Sequence, residues 1–258
     1  MSSSHEVNHT IDIYTVYPDL PDWVFDVFAT YLFILGTITL PLNGFFLYLF
    51  YKTPKLRTDF NLLLFNLVVA ETGIGIFGII TDFVATARHG WDMGKDFCIF
   101  TGFALTLFGM ASVNNLLNIA LFRWAVYIFE ARHISASQLA RGLVWLNWCW
   151  SLMFAVPPLV GWGQYLPEVN GMSCAPAWRA SEGTLDYFNI ISYNIFLIGL
   201  GFFIPVIIIF STSLNLYMKL NKDVRSIVCD SVRAAACKES FLETLYLNFD
   251  YQFSNKII

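Results

Sequence analysis

The 258-residue chain is poor in charge, since Asp, Glu, Lys and Arg make up 13% of it, against about 25% in ordinary soluble domains. With 57% apolar residues, this scarcity excludes a soluble globular protein. The 15 Lys and Arg residues are scattered along the chain and the net charge is −4. The sequence therefore offers no basic surface for a phosphate backbone, and nucleic acid is excluded as a partner.

Catalytic and metal-binding motifs are missing as well. The sequence contains no HExxH, no GxSxG, no Walker loop and no CxxC pair. All four histidines lie outside the apolar runs described next. A membrane hydrolase or a metalloenzyme is therefore disfavoured, and we expect neither catalytic residues nor a metal site.

Long apolar runs are abundant. A helix needs roughly 20 apolar residues to cross about 30 Å of hydrocarbon, and only a helix or a closed barrel satisfies its own backbone there. Five runs are long enough for a helix and too long for barrel strands: residues 27–50, 60–81, 97–122, 142–166 and 187–218. The sequence therefore predicts an all-α membrane bundle.

Prolines refine the helix ends. Pro157-Pro158 predicts that the fourth helix ends near Val156, so that it begins before Arg141. Pro205 predicts a kink inside the fifth helix. The expected organisation is an extracellular N-terminal segment, a five-helix region and a cytosolic tail that is disordered or amphipathic, covering residues 1–22, 23–220 and 221–258.

Basic residues are distributed unevenly between the two sides of the bundle. The N-terminal segment and the loops 82–96 and 161–186 together carry three Lys and Arg, whereas the opposite side carries twelve. Because basic loops stay in the cytosol, we predict an extracellular N-terminus and a cytosolic C-terminus. Residues 1–22 contain four acids and no Lys or Arg, so no cleavable signal peptide is expected. The predicted location is the plasma membrane, with the lipid bilayer as a partner.

Cysteine placement agrees with this orientation. Of five cysteines, Cys98 and Cys174 fall at the oxidising outer boundary, Cys149 lies inside a span, and two lie in the cytosolic tail. We therefore predict a Cys98–Cys174 disulfide, with two unpaired cysteines at the membrane edge as the alternative. On the same side, Asn8 begins an Asn-His-Thr glycosylation triplet, a pattern that also occurs by chance.

Polar side chains at membrane depth are costly and therefore informative. Glu71 is the one acid deep inside a span, so we expect it to face the bundle interior. Gly102, Thr106 and Gly109 share a narrow face of the third helix, which favours close helix packing and leaves a ligand pocket as the alternative. Amides at this depth favour helix-to-helix hydrogen bonds, with an ion or water cluster beside Glu71 as the alternative; they belong to Asn43, Asn66, Asn114, Asn115, Asn118 and Asn147.

Several motifs resemble the rhodopsin-like G-protein-coupled receptors. Residues 41–71 are similar to that family's first two helices, and the Leu-Arg-Thr turn within them resembles opsins in particular. Arg123 follows Cys98 by 25 residues, the family's spacing from the disulfide cysteine to the arginine at the cytosolic end of helix three. Trp148 and Pro205 match the family's anchors in helices four and five.

The most specific resemblance covers residues 156–174, which are similar to the second extracellular loop of opsins, a lid over retinal. Within the opsins, residues 161–165 look closest to the peropsin, retinochrome and retinal-photoisomerase branch. The resemblance implies that Glu168 balances the positive charge of a retinal Schiff base. It also implies that Thr106, Gly109 and Phe202 line the chromophore pocket.

Other positions depart from the family. Phe122-Arg123-Trp124 replaces the acid-Arg-Tyr lock, so Arg123 has no adjacent carboxylate, and Glu71 replaces the usual aspartate. The 40 residues after Met218 are interrupted by charges, so helices six and seven are not expected. The family's retinal-bearing lysine lies on helix seven, and we therefore do not expect covalent retinal attachment by this chain alone.

Taken with the resemblance, the sequence predicts an opsin-type photoreceptor and G-protein-coupled receptor in an incomplete or non-signalling short form. A full-length form would have a G protein as partner. One alternative is a retinal photoisomerase. Another is a five-helix chain that associates with a full-length opsin, or with a second copy of itself, and modulates it.

Overall fold

The computed structural model describes residues 13–129, 135–179 and 185–227. Five long helices run through these segments, and the predicted helical membrane bundle is confirmed. Their bounds are α1 Asp22–Lys52, α2 Asp59–Ala87, α3 Lys95–Phe129, α4 Ala136–Ala155 and α5 Tyr187–Ile227.

Local chemistry explains several helix ends. The Thr58 hydroxyl accepts a hydrogen bond from the Asn61 N–H at 3.3 Å, and the Ser135 hydroxyl accepts one from the Gln138 N–H at 3.2 Å. These side chains cap the first turns of α2 and α4, where backbone N–H groups lack partners within the helix. At its other end, α4 stops two residues before Pro157, as the prolines predict.

The helix lengths differ from the apolar runs. Among the described helices, α1, α2, α3 and α5 are long and apolar enough to cross a membrane. The fourth run was expected to give a spanning helix of similar character, but α4 has 20 residues and polar side chains in its first turns, including Gln138 and Arg141. The helix α5 continues past residue 218 to Ile227, and α2 continues past residue 81 to Ala87.

Two helices contain a π-helical turn, at Gly75–Ile79 in α2 and at Gly199–Phe203 in α5. The second turn ends two residues before Pro205, the position at which the sequence predicts a kink. Proline has no N–H to donate, and a wider turn is one way in which a helix accommodates that loss.

The loop between α4 and α5 folds as a small hairpin. Strands β1 (Tyr165–Pro167) and β2 (Cys174–Pro176) pair antiparallel, with Tyr165 opposite Pro176. We call residues 161–179 the lid. The predicted Cys98–Cys174 disulfide is present, with 5.4 Å between the two Cα atoms, and it joins the lid to the start of α3.

A short N-terminal segment, residues 13–18, lies against the lid and the α2–α3 loop, and we call it the strap. Val16 exchanges two backbone hydrogen bonds with Trp91, at 3.0 and 2.8 Å. Tyr14, Trp91 and both disulfide cysteines form one buried apolar cluster. The strap and the loop therefore enclose the disulfide.

The chain divides into two compact units, Met1–Phe210 and Ser211–Ile258. The first unit contains the hairpin, the disulfide and the sites described below. Within the second unit, the described residues 211–227 are helical.

Candidate functional site

A cavity of about 370 Å³ lies between α3, α5 and the lid. Thr106 and Gly109 contribute from α3, Phe202 from α5, and Ala175 and Pro176 from the lid. The structure thus brings together the three residues that the resemblance assigns to the chromophore pocket. The sequence alone favoured helix packing for the narrow face of α3, but this face borders a cavity.

Small residues shape this cavity. A Cβ atom at Gly109 would meet no atom within 4 Å, so Gly109 leaves open space. By contrast, a Cβ atom at Gly201 would lie 2.6 Å from Met110 Cε, so the end of this flexible side chain would have to shift to make room for it. The Thr106 hydroxyl donates to the Gly102 carbonyl at 2.8 Å. This hydroxyl is therefore already bonded, and the other side chains that line the cavity are predominantly apolar.

Tyr165, the first residue of β1, lies where the lid contacts α3. Its side chain is 1% exposed, and its hydroxyl donates to the Ala155 carbonyl at 2.8 Å. Burial raises the pKa of this hydroxyl to about 12. The hydroxyl therefore stays protonated, and remains a donor, at neutral and mildly alkaline pH.

Helix α5 fixes the other side of the lid. The Asn189 side chain accepts from the Gly163 N–H at 2.7 Å and donates to the Gly161 carbonyl at 2.8 Å. Further along the helix, the Asn194 amide donates to the Ala177 carbonyl at 2.8 Å. Both ends of the lid are thus held by amides that project from α5.

Glu168 lies elsewhere on the lid. It lines a second cavity of about 910 Å³, together with residues that include Asp19, directly after the strap, and Arg179 of the lid. Its carboxylate accepts from the Ser173 hydroxyl at 2.8 Å and from the Asn170 amide at 3.3 Å. The structure does not bring Glu168 to the cavity of Thr106, Gly109 and Phe202, although Pro176 borders both cavities.

Asp82 is an acid that the sequence reasoning did not single out. Its Oδ1 atom is buried and has no hydrogen-bond partner among the described residues. Its carboxylate lies within electrostatic range of Glu168. An acid directly after the apolar run that ends at Thr81 was the available signal, but its burial depends on how α2 extends beyond that run.

The residues assigned to signalling and structure occupy other parts of the bundle. The Glu71 carboxylate accepts a hydrogen bond from the Ser112 hydroxyl on α3. The Arg123 guanidinium lies 4.9 Å from the centre of the Phe60 ring, and the ion pairs found among the described residues do not include it. Asn43 is half-buried on α1. The predicted glycosylation site Asn8 and the tail beyond residue 227 lie outside the described residues.

The strap provides a test of how the lid is held. Gly171 and Gly161 both have positive φ, +65° and +94°, so a Cβ atom strains the backbone at each by roughly 1–2 kcal/mol. At Gly171 it would also lie 2.8 Å from the Val16 carbonyl oxygen, whereas at Gly161 it would meet nothing within 4 Å. We expect Gly171→Ala to destabilise the protein by about 1–3 kcal/mol more than Gly161→Ala does.

Thermal unfolding in detergent and the rate at which a water-soluble phosphine reduces the disulfide measure this difference. Gly171→Ala is expected to lower the midpoint further and to accelerate reduction, because it displaces the strap that covers the disulfide. Equal behaviour of the two variants would show that the strap does not hold the lid.

Comparisons with known proteins agree with the geometry. The family model "7 transmembrane receptor (rhodopsin family)" matches residues 42–245. The chain is 34% identical to green-sensitive opsin-1 of Carassius auratus over 192 residues, which are 74% of this chain and 54% of that protein. It is 30% identical to green-sensitive opsin-3 of Psalidodon fasciatus, covering 90% of this chain and 62% of that one.

Among solved structures, that of squid rhodopsin superposes with a TM-score of 0.70 at 26% sequence identity. The match covers 79% of this chain and 57% of the squid chain. The chain thus spans a little over half the length of these opsins.

Proposed function

Because the chain belongs to the rhodopsin family of seven-transmembrane receptors, we propose that it forms the retinal-facing part of an opsin-type photoreceptor. The observation that carries this proposal is the cavity in which Thr106, Gly109 and Phe202 meet beneath the lid. Its volume of about 370 Å³ lies within the range of roughly 300–1,000 Å³ typical of small-molecule pockets. Its apolar walls suit a hydrocarbon polyene.

Each part of the site has a distinct role in this proposal. When bound, retinal supplies light absorption and a change of shape about one double bond. Thr106, Gly109 and Phe202 bind and orient it, and the lid, fixed by the Cys98–Cys174 disulfide, covers one end of it. Glu168, hydrogen-bonded by Ser173, is the lid carboxylate proposed to balance the positive charge of a retinal Schiff base in a full-length receptor.

Binding to this chain alone is proposed to be non-covalent. Among the described residues, no lysine lines the cavity, so these walls offer no amine to form an imine. In a full-length receptor the partner would be a G protein, and the short chain would associate with such a receptor or with its own copies. The proposed location is the plasma membrane, with the N-terminus outside.

Retinal titration tests the proposal. The chain, purified from a membrane fraction, is mixed with retinal; tryptophan fluorescence and the absorption spectrum are recorded, and the sample is then denatured in acid to trap any imine. We expect saturable fluorescence quenching and no visible band that survives acid trapping. Gly109→Trp fills the cavity and should abolish saturable binding.

Gly44→Trp on α1 is the matched control, since a Cβ atom at Gly44 also meets nothing within 4 Å but lies outside this cavity. It should leave binding unchanged. Quenching that does not saturate, or that is equal in both variants, would refute the retinal cavity. A trapped band would refute non-covalent binding.

A retinal photoisomerase, as in the peropsin and retinochrome branch, is the second candidate for a full-length form. The observation in its favour is that the Arg123 guanidinium lies over the Phe60 ring and not beside a carboxylate. Light-dependent nucleotide exchange on a G protein by the full-length form would count against it.

A further inference from the structure

Three buried asparagines, which we call the amide triad, lie on three helices that pack against one another, away from the cavity. Asn66 on α2, Asn115 on α3 and Asn147 on α4 are 5%, 0% and 0% exposed. The Asn66 amide nitrogen donates to Asn115 Oδ1 at 2.8 Å, and the Trp148 indole N–H donates to Asn66 Oδ1 at 2.9 Å. These two bonds connect three helices through Asn66.

Asn147 lies at the same depth as the other two. Helices α3 and α4 pack against each other and follow one another after a short connection, so they run antiparallel. Asn118 on α3 donates to the Leu143 carbonyl on α4 at 3.1 Å, which fixes their register. Asn115 precedes Asn118 by three residues and Asn147 follows Leu143 by four, so they lie about 4.5 Å and about 6 Å from this contact in the same direction.

Three polar atoms of the triad lack hydrogen-bond partners in the part of the chain that the structure describes. They are Asn115 Nδ2 and both Nδ2 and Oδ1 of Asn147, and all three are buried. An unpaired buried polar group costs about 1–3 kcal/mol, and the surrounding hydrocarbon offers no hydrogen bonds. The triad is therefore built to bind something.

The unpaired atoms define that ligand, which must accept from two amide N–H groups and donate to one carbonyl oxygen. Water does both, and a water molecule held by about three polar groups is common inside proteins. A metal cation would face two N–H groups, which repel it, and a single oxygen ligand. Ca²⁺, for example, takes about six to eight oxygen ligands. We propose that Asn115 and Asn147 bind an internal water molecule that completes the amide triad and joins α3 to α4.

The sign of a stability change tests this proposal. Asn147→Leu replaces the amide with an apolar side chain of comparable size and so removes both unpaired atoms of Asn147. If water bridges Asn115 and Asn147, the variant leaves the Asn115 amide without a hydrogen-bond partner, and the thermal midpoint should fall by about 3 °C or more. If the amides are dry, the variant removes an unpaired polar group and the midpoint should rise, which would overturn the proposal.

Radiolytic hydroxyl-radical labelling detects the water directly. A bound water beside the triad should give oxygen addition on Trp148 in the purified wild-type chain, and Asn147→Leu should lose it. Asn147→Ser keeps a hydroxyl and disturbs packing less, so it should retain the label even where the leucine variant does not fold. Unlabelled Trp148 in the wild type would overturn the proposal.

Asn118→Leu is the matched control. It loses the bond to the Leu143 carbonyl and should also lower the midpoint, but it should leave Trp148 labelled, because its own partner is protein. Replacing sodium chloride by choline chloride should leave the wild-type midpoint unchanged. A midpoint that depends on sodium would assign a cation to the triad instead of water.

Discussion

Replacing Cys174 with serine is expected to lower the thermal midpoint of the purified chain by about 10 °C. The disulfide closes a loop of 76 residues, and constraining such a loop in the unfolded chain stabilises the folded state by about 4 kcal/mol. For a chain of this size, 1 kcal/mol shifts the midpoint by roughly 2–4 °C. Thermal unfolding followed by tryptophan fluorescence measures the shift.

Cys149→Ser is the control for this substitution. Cys149 is a free and exposed cysteine on α4, so its replacement should change the midpoint little. Cys98→Ser and the double variant Cys98→Ser/Cys174→Ser should match Cys174→Ser, because either change removes the same bond. A midpoint for Cys174→Ser that equals that of Cys149→Ser would contradict the assigned disulfide.

The sequence predicted the helices and the disulfide because both follow from the partition of residues between lipid and water. The apolar runs had to become helices, since hydrocarbon leaves the backbone no other partner. The side predicted to be oxidising then contained two cysteines, Cys98 and Cys174. Helix ends were predicted less well, because α1, α2 and α3 extend beyond the apolar runs with polar side chains that a hydropathy count cuts off.

The neighbours that each helix face contacts could not be predicted in this way. The spacing of Gly102, Thr106 and Gly109 placed them on one face of α3, but packing and a pocket explain that face equally well. The structure shows that both occur: a Cβ atom at Gly102 would collide with Tyr165, whereas one at Gly109 would meet open space. The difference arises from the lid, which is distant in sequence.

Electrostatic partners were the least predictable part of the site. Glu168 and Asp82 are separated by 86 positions in the chain, and their proximity depends on the hairpin and on how far α2 projects. The unpaired amides of Asn115 and Asn147 likewise depend on the register of α3 against α4. Neither arrangement leaves a periodic pattern in the sequence.

The close contact between α3 and the lid leads to the second large expected effect. A Cβ atom at Gly102 would lie 2.7 Å from Tyr165 Cδ1 and 3.0 Å from Cγ. The Tyr165 ring cannot easily move aside, because it is fully buried and its hydroxyl is bonded to the Ala155 carbonyl. Any side chain at residue 102 therefore pushes β1 of the lid away from α3.

Gly102→Ala is accordingly expected to destabilise the chain by about 2 kcal/mol, a typical cost of overpacking a rigid interior, even though alanine is the better helix former. Gly142→Ala on α4 gives the matched comparison, since its Cβ atom would meet nothing within 4 Å and the substitution should stabilise the helix by about 0.5–1 kcal/mol. Thermal midpoints of the two variants, measured in the same detergent, should therefore move in opposite directions. If Gly102→Ala raised the midpoint as Gly142→Ala does, Tyr165 would not pack against α3 and the lid would not close the cavity of Thr106, Gly109 and Phe202.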